Sequence, residues 1–211
     1  MMLDAVEVAV AEFAAGRPVV VVDDEDRENE GDLIVAASEM TAEIMAFIIR
    51  HTGGVVCVAM EGADLDRLEL PPMCSDNQDP KGTAFTVSTD ALGCSTGISA
   101  ADRALTVRTL GDPSALPGQF MRPGHVYPLR AAEGGLLSRR GHTEAGVELA
   151  RLAGLAPAAA ISEVINDDGT MTRLPQLRLF ADEHDLKLIS IEQLVAFQER
   201  ALTDSAPVGR G

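Results

Sequence analysis

A run of carboxylates near the start of this 211-residue chain is the segment best suited to chemistry. Seven of the ten side chains in residues 23–32 are aspartate or glutamate, and a single arginine, Arg27, lies among them. Like charges at this spacing repel one another, so a bound cation would stabilise the segment. Carboxylate oxygens are ligands that Mg²⁺ and Mn²⁺ prefer. The run therefore predicts a divalent-metal site, and a solvated acidic loop without a metal stays open as the alternative.

A calcium loop of the EF-hand type does not fit the same run. If such a loop began at Asp26, its twelfth position would be Ala37, where a bidentate glutamate is needed. The flanking residues also predict strands, whereas helices flank an EF-hand. We therefore exclude this class of calcium site.

Residues 138–144 combine two arginines, a glycine and a threonine at the start of a predicted helix, 143–153. The N–H groups and the dipole at the start of a helix favour an anion, and arginine adds a bidentate charge partner. In so acidic a chain, this pattern favours a phosphate-binding site. The alternative is a helix capped by Thr143 with both arginines exposed to solvent.

Glu163 and the histidines are less specific candidates. Glu163 lies within an apolar predicted strand, where it either points outward or, if buried, acts as a general acid or base. His125 lies between a loop and a strand. His51 and His184 have polar helical neighbours and are expected to be structural. Cys57 is expected to be a small core residue.

The net charge limits the partners that the chain can have. Lysine and arginine number 17 against 33 aspartates and glutamates, which gives a net charge of −16. Such a chain repels nucleic acids and anionic membranes, and no apolar segment is long enough to cross a bilayer. The three separated cysteines form no disulfide or zinc pattern, so we expect a cytoplasmic protein.

The hydrophobic pattern predicts one α+β domain over residues 1–202, followed by a disordered tail over residues 203–211. The predicted helices lie at 3–13, 41–50, 99–110, 143–153 and from 190 onward. The predicted strands lie at 19–22, 33–37, 55–60, 84–89, 126–129 and 161–165. Prolines and glycines predict loops at 69–82 and 111–124.

Six segments, in this order along the chain, closely resemble the 3,4-dihydroxy-2-butanone-4-phosphate synthase family of riboflavin biosynthesis. They are DRENEGD at 26–32, GTAFTV at 82–87, TGISAADR at 96–103, RPGH at 122–125, RRGHTE at 139–144 and NDDGTM at 166–171. The resemblance spans residues 3 to about 198, and several independent segments agree. It is therefore highly specific.

The resemblance implies a lyase that converts D-ribulose 5-phosphate to L-3,4-dihydroxy-2-butanone 4-phosphate and formate. It implies Mg²⁺ as the cofactor, with Mn²⁺ as a substitute. The implied fold is a three-layer α+β sandwich, with a mixed central sheet flanked by helices, in a homodimer with sites at the subunit interface. In some organisms such a domain is fused to a GTP cyclohydrolase II domain, and the sequence leaves open whether this chain continues into one.

The resemblance also implies roles for individual residues. The implied metal ligands are Glu28 and His142. The implied substrate contacts are Arg27, Glu28 and Asp32 in the acidic run, and Arg139, Arg140, Gly141, His142 and Thr143 around the phosphate. The implied catalytic residues are His125, Glu163 and Glu30. The chain departs from the family pattern at Arg140, where a small or neutral residue is usual, and at Ser162, where cysteine is common.

Two other functions stay open on the residues alone. A different metal-dependent sugar-phosphate isomerase or aldolase would use the same enediol chemistry but would release no formate. A non-catalytic sugar-phosphate-binding protein would be expected to lack the metal ligands, yet Glu28 and His142 are both present.

Overall fold

A computed structural model describes residues 3–205 and shows seven strands in one mixed sheet. In chain order the strands are β1 (Val19–Val22), β2 (Gly31–Ala36), β3 (Cys57–Met60), β4 (Thr89–Ala91), β5 (Phe120–Arg130), β6 (Ala158–Glu163) and β7 (Lys187–Ser190). Their order across the sheet is β4-β5-β3-β6-β2-β1-β7. β1 pairs with β7, and β3 with β5, in parallel, whereas the other neighbours are antiparallel.

Helices cover both faces of this sheet. They are α1 (Val6–Ala14), α2 (Ala42–His51), α3 (Gly62–Arg67), α4 (Ala100–Leu110), α5 (His142–Leu152), α6 (Leu174–Glu183) and α7 (Ile191–Ser205). α1, α5 and α7 share an apolar core with one face, and α2, α3, α4 and α6 share a core with the other. The side chains of β2 alternate between the two cores, with Leu33 and Val35 in one and Ile34 and Ala36 in the other. The predicted three-layer α+β sandwich is confirmed.

Three polar residues begin helices as their sequence positions predict. The Thr41 hydroxyl accepts a hydrogen bond from the backbone N–H of Ile44 at 3.1 Å, and Ser99 caps α4 in the same way. Ser190 and Gln193 form a reciprocal pair, in which each backbone N–H donates to the other residue's side chain. None of the helices in residues 3–205 is long and apolar enough to cross a membrane.

The strand predicted at residues 84–89 is wrong. Phe85 and Thr86 form only isolated bridges, and β4 begins at Thr89. The backbone N–H of Thr86 donates to the carbonyl of Pro128 at 3.0 Å, but Pro128 has no N–H to return. The ladder beside β5 is interrupted there, which keeps the segment irregular.

The loop predicted at residues 111–124 is also partly wrong, because β5 begins at Phe120 and includes Gly124. A Cβ atom on Gly124 would lie 2.2 Å from the backbone nitrogen of Asp90. This glycine therefore allows two strands to approach closely rather than marking a turn. The sequence analysis also did not predict α3, α6 and the four-residue β7.

The last helix, α7, runs to Ser205 and so includes the first three residues of the tail predicted to be disordered. The remaining residues of that prediction, 206–211, lie outside the described part of the chain.

Candidate active site

A cavity of about 180 Å³ opens where the acidic loop between β1 and β2 meets the start of α5 and the end of β6. The sheet register accounts for this meeting, because Asp32 of β2 pairs with Glu163 of β6. The predicted site residues that line the cavity are Arg27, Glu28, Glu30, Asp32, Arg139, His142, Thr143 and Glu163. The fold thus brings side chains from three distant segments to one place.

The acidic loop is organised by the buried carboxylate of Asp23. This carboxylate accepts hydrogen bonds from the backbone N–H groups of Glu28 at 3.1 Å and Glu30 at 2.9 Å. Arg27 donates to Asp23 at 2.9 Å and also to the carboxylate of Glu28. Because Asp23 holds the loop backbone from within, the side chains of Glu28 and Glu30 are kept beside the cavity.

His142 is buried in the first turn of α5. Its Nε2 lies 3.1 Å from the carbonyl oxygen of Val21, and since a carbonyl only accepts, Nε2 carries the hydrogen. Nδ1 is the atom directed at the acids, 3.8 Å from a carboxylate oxygen of Glu28 and 3.8 Å from one of Asp32. A backbone carbonyl that fixes one ring nitrogen in this way is the usual support of a metal-binding histidine.

Burial and charge shift the pKa values of the cavity groups in opposite directions. Contact with His142 lowers the pKa of Glu28 to about 2. Burial, with the nearby charge of Glu163, raises the pKa of Asp32 to about 7. Burial alone would lower the pKa of His142, but Asp32 and Glu28 outweigh it and raise that pKa to about 9. Burial and the charge of Glu163 also raise the pKa of Glu30.

The donor set of this cluster fits a divalent cation. One ligand atom each from Asp23, Glu28 and His142 lies within 4.8 Å of the others. Within the described residues, Oδ1 of Asp32 is buried without a hydrogen-bond partner, and a bare buried oxygen of this kind is costly. Both oxygens of Asp23 already accept hydrogen bonds, so Glu28 and His142 are the freer donors. Carboxylate oxygen and imidazole nitrogen suit Mg²⁺ and Mn²⁺.

Arg139 lies at the other end of the cavity, before α5. Its guanidinium donates to the buried carboxylate of Glu144 at 2.7 Å and to the hydroxyl of Thr83 at 3.4 Å. α5 begins at His142, and at its N-cap, Gly141, no side chain caps the first N–H groups. A Cβ atom at Gly141 would lie 2.2 Å from the guanidinium of Arg139 and 2.8 Å from the carboxylate of Glu144, so a larger residue would displace this ion pair. The uncapped helix start and the positioned arginine form a place for an anion.

The three remaining predicted residues do not line the cavity. Arg140 is exposed, and Gly141 contributes its backbone to the start of α5. His125 lies on β5, outside the lining of this cavity within the described chain. Its Nδ1 is 2.7 Å from a carboxylate oxygen of Asp90, whose other oxygen accepts the backbone N–H of His125 at 2.9 Å. His125 is therefore not among the residues that line the cavity with Glu28 and His142.

His51 and His184 pack against aromatic side chains, and their structural role stays a prediction. Their rings lie 4.8 Å apart between centroids, and both contact Phe47 and Phe180. Cys57 is buried as predicted, but it also lines the cavity, and burial raises the pKa of its thiol. A neutral thiol of this kind is inert.

The sequence analysis assigned no supporting role to four residues that hold predicted site residues in place. They are Asp23, Asp90, Glu144 and Arg173, and each binds a backbone or side-chain group of a predicted site residue. Asp23 could have been found, because it directly follows a buried strand and opens the acidic run. No local pattern distinguishes Asp90 or Arg173 from ordinary surface charges.

A layered α+β fold carries side chains that could hold a metal ion, Asp23, Glu28 and His142, beside an uncapped helix start. This combination is typical of metal-dependent enzymes that act on phosphorylated small molecules. Residues 7–197 match the family model described as 3,4-dihydroxy-2-butanone 4-phosphate synthase. The chain belongs to this family.

Relatives in sequence and structure agree with this assignment. The riboflavin biosynthesis protein RibBA of Nocardia farcinica (strain IFM 10152) is 58% identical over 200 residues, which cover 93% of this chain and 48% of that protein. RibBA of Mycobacterium avium (strain 104) is 56% identical, covering 94% of this chain and 47% of that protein. The chain spans about half the length of these curated relatives.

Two solved structures match this chain over nearly the full length of both chains. A 3,4-dihydroxy-2-butanone 4-phosphate synthase in complex with two magnesium ions is 46% identical, with a TM-score of 0.91 over 94% of this chain and 98% of that one. The synthase of Candida albicans is 48% identical, with a TM-score of 0.87 over 93% of this chain and 98% of that one.

Proposed function

We propose that this chain converts D-ribulose 5-phosphate to L-3,4-dihydroxy-2-butanone 4-phosphate and formate, which supplies the four-carbon unit of riboflavin. One observation carries the proposal: a single cavity contains both the Glu28–His142 pair and the anion-binding start of α5. Family membership and the similarity to solved synthases support it.

Glu28 and His142 would hold a divalent cation, with Asp23 and Asp32 beside them. The cation would be Mg²⁺, with Mn²⁺ as a substitute, because hard oxygen donors dominate the cluster. When bound, such a cation polarises the ketone of the substrate and favours the loss of a proton from the neighbouring carbon. The magnesium ions bound to a solved synthase support this part of the proposal.

The chain's own acids and bases carry the protons. Glu30, Asp32 and Glu163 surround the cavity. Because the pKa of Asp32 is raised to about 7, this group can both hold and release a proton near neutral pH, which suits the loss of a hydroxyl group. Glu163 pairs with Asp32 across the two strands, and both line the cavity. We propose Glu163, Glu30 and His125 as the catalytic residues.

The phosphate serves to position the reacting carbons. Arg139 and the first N–H groups of α5, at His142 and Thr143, would bind it. Arg27 and Asp32 would contact the sugar, together with Glu28. Arg140 is exposed, so its part in the phosphate site would be limited to its backbone and long-range charge. Binding energy from the phosphate thereby orients bonds that are several atoms away.

A homodimer would complete the site. His125 is half exposed on the β4–β5 edge, and Leu92, Ile98 and Met121 expose apolar side chains around it. Gly97 packs closely on Asp90 and His125, since a Cβ there would lie 2.1 Å from a carboxylate oxygen of Asp90 and 2.5 Å from Nδ1 of His125. The exposed Ile98 is the next residue along the chain. A second copy that covers this apolar surface would bring His125 to its own cavity.

Incubation with ribulose 5-phosphate and Mg²⁺, followed by formate detection, tests the proposal. We expect formate in a one-to-one ratio with consumed substrate, and none from the Glu28→Gln variant. Isomerised or cleaved sugar phosphate without formate would instead indicate the isomerase or aldolase alternative. Tight binding without turnover would indicate a binding protein. The free thiols and the acidic surface support a cytoplasmic location without nucleic acid or membrane partners.

A further inference from the structure

Arg173 reaches the acidic loop from the side opposite to Asp23. It lies at the start of α6, and its guanidinium donates to the backbone carbonyls of Glu28, at 3.0 Å, and of Asn29. Asp23 accepts the backbone N–H groups of Glu28 and Glu30. The peptide groups on both sides of Asn29 are therefore held by two charged side chains of opposite sign.

The held segment has an unfavourable backbone conformation. Asn29 has a φ of 55°, in the left-handed region that a side chain other than glycine adopts only at a cost. Glu28 and Glu30, on either side of this residue, both line the cavity. Charge-assisted hydrogen bonds from Arg173 to the carbonyls on either side would offset that cost.

Arg173 is itself anchored to the strand that carries Glu163. Thr172, beside it, donates its backbone N–H to the carbonyl of Val164 at 3.2 Å, and Met171 bridges Ile165. The same helix packs against the loop: a Cβ on Gly31 would lie 2.4 Å from the side chain of Leu177. The acidic loop and the end of β6 are thus joined through the start of α6.

We propose that Arg173 is a positioning residue, which sets the Glu28 carboxylate at the distance from His142 that a divalent cation requires. The proposal rests on the proposed function, because that function needs the cation. Arg173 binds only the loop carbonyls, so the carboxylates of Glu28 and Glu30 remain available to the cavity. The positive charge of Arg173 also lowers the electrostatic repulsion between these two carboxylates.

The sign of its effect on metal affinity distinguishes positioning from plain charge. Removing a positive charge near a cation site strengthens cation binding if only the electrostatic field matters. Loss of positioning does the opposite, and substitution of a supporting residue typically weakens metal affinity by about 10- to 100-fold. Arg173→Met should therefore bind Mn²⁺ about tenfold more weakly.

The experiment measures free Mn²⁺ by electron paramagnetic resonance during titration of the full chain with the metal alone. Arg173→Lys, which keeps the charge and one donor, should fall between the unaltered protein and Arg173→Met. Arg178→Met is the matched control, because it removes a guanidinium from the same helix whose partners are Asp4 and Asp182. Its Mn²⁺ affinity should be unchanged. Thermal unfolding of each variant shows that the fold is kept.

Unchanged or tighter Mn²⁺ binding by Arg173→Met would overturn the inference, as would an equal loss in Arg178→Met. Absence of Mn²⁺ binding by the unaltered protein would overturn it as well. Failure of the proposed function is read separately: a chain that binds Mn²⁺ but releases no formate would refute the activity, while the comparison of variants would still decide the role of Arg173.

Discussion

The cavity around His142 and the sheet edge around His125 differ in how deeply the histidine is buried and in which groups orient its ring. The His142 side chain is 7% exposed, and its ring is fixed by a backbone carbonyl and faces two carboxylates. The His125 side chain is 43% exposed, and a single carboxylate, Asp90, orients it on the edge of the sheet. One histidine is enclosed by its own chain, whereas the other lies on an exposed edge, where we propose that a second copy of the chain packs.

The difference separates two kinds of functional residue. The cavity side chains obtain their geometry from the sheet register and from buried hydrogen bonds, so they are in place in a single chain. At the sheet edge only the orientation of His125 is fixed, and apolar side chains are exposed there. If a second copy of the chain completes the site as proposed, a lone chain should be inactive.

The largest expected effect comes from the cavity. Glu28→Gln keeps the shape of the side chain but removes the anionic oxygen that a hard cation prefers, and His142→Ala removes the imidazole. Each should lower formate release by at least about a thousandfold, and the double variant should be little worse than either, because groups that act as a unit are not additive.

The control for this prediction is Glu25→Gln, an exposed acid of the same loop outside the cavity lining. It should keep most of the activity. Equal and modest losses in Glu25→Gln and Glu28→Gln would mean that the loop acts through bulk charge. Glu28 would then not be a specific metal ligand.

A smaller effect is expected at the phosphate end. Arg139→Met should lower kcat/KM by about 10- to 100-fold, because a charge-assisted contact is lost and the reacting carbons are less well oriented. The substitution also leaves Glu144 without its cationic partner. Steady-state kinetics with ribulose 5-phosphate and with ribulose measure the effect, which should shrink for the substrate without phosphate. The same fold loss on both would assign Arg139 a purely structural role.

The smallest effect concerns stability without metal. The folded chain holds protons that the unfolded chain releases, since the pKa of Asp32 is raised to about 7 and that of His142 to about 9. The stabilising charge on His142 is fully present below pH 6.5 and is lost as the pH rises through 9, and ionisation of buried Asp32 adds a cost in the same direction. The free energy of unfolding should therefore fall from pH 5 to pH 9, by on the order of 2 kcal/mol.

Urea unfolding at several pH values measures this slope. Asp32→Asn should flatten it, because that substitution removes one titrating group and the main charge that raises the pKa of His142. Asp66→Asn, at an exposed position, should leave it unchanged. Stability that rises over this range would show that the cavity does not hold extra protons.

The contrast between the cavity and the His125 edge also explains which features of the structure the sequence could predict. The α+β class and the acidic run were predictable from local signals, because periodic apolar residues mark the elements and the carboxylates directly follow a strand. The three-layer arrangement and the roles of Glu28, His142 and Glu163 were implied by the resemblance to the synthase family. Asp90 and Arg173 were not predictable, because each acts by reaching groups 35 or more positions away, which no local pattern encodes. The irregular segment at 84–89 was misread because Pro128, on another strand, limits its pairing.

Assembly is tested by substitution on the edge. Ile98→Asp places a charge among the exposed apolar side chains beside His125 and should yield monomers with little activity. Analytical ultracentrifugation reports the mass. A fully active monomer would remove the need for a second chain, and the comparison with the cavity would no longer hold.

Mixing two inactive variants tests the central claim most directly. His125→Ala lacks the edge residue and Glu28→Gln lacks the cavity residue, so each alone should be inactive. After subunit exchange at equal concentrations, half of the dimers carry one variant of each kind, and each such dimer contains one intact site. Our account predicts recovery of about a quarter of the unaltered activity. No recovery, despite exchange shown by mass spectrometry, would mean that His125 does not act on its partner's cavity and would contradict the account.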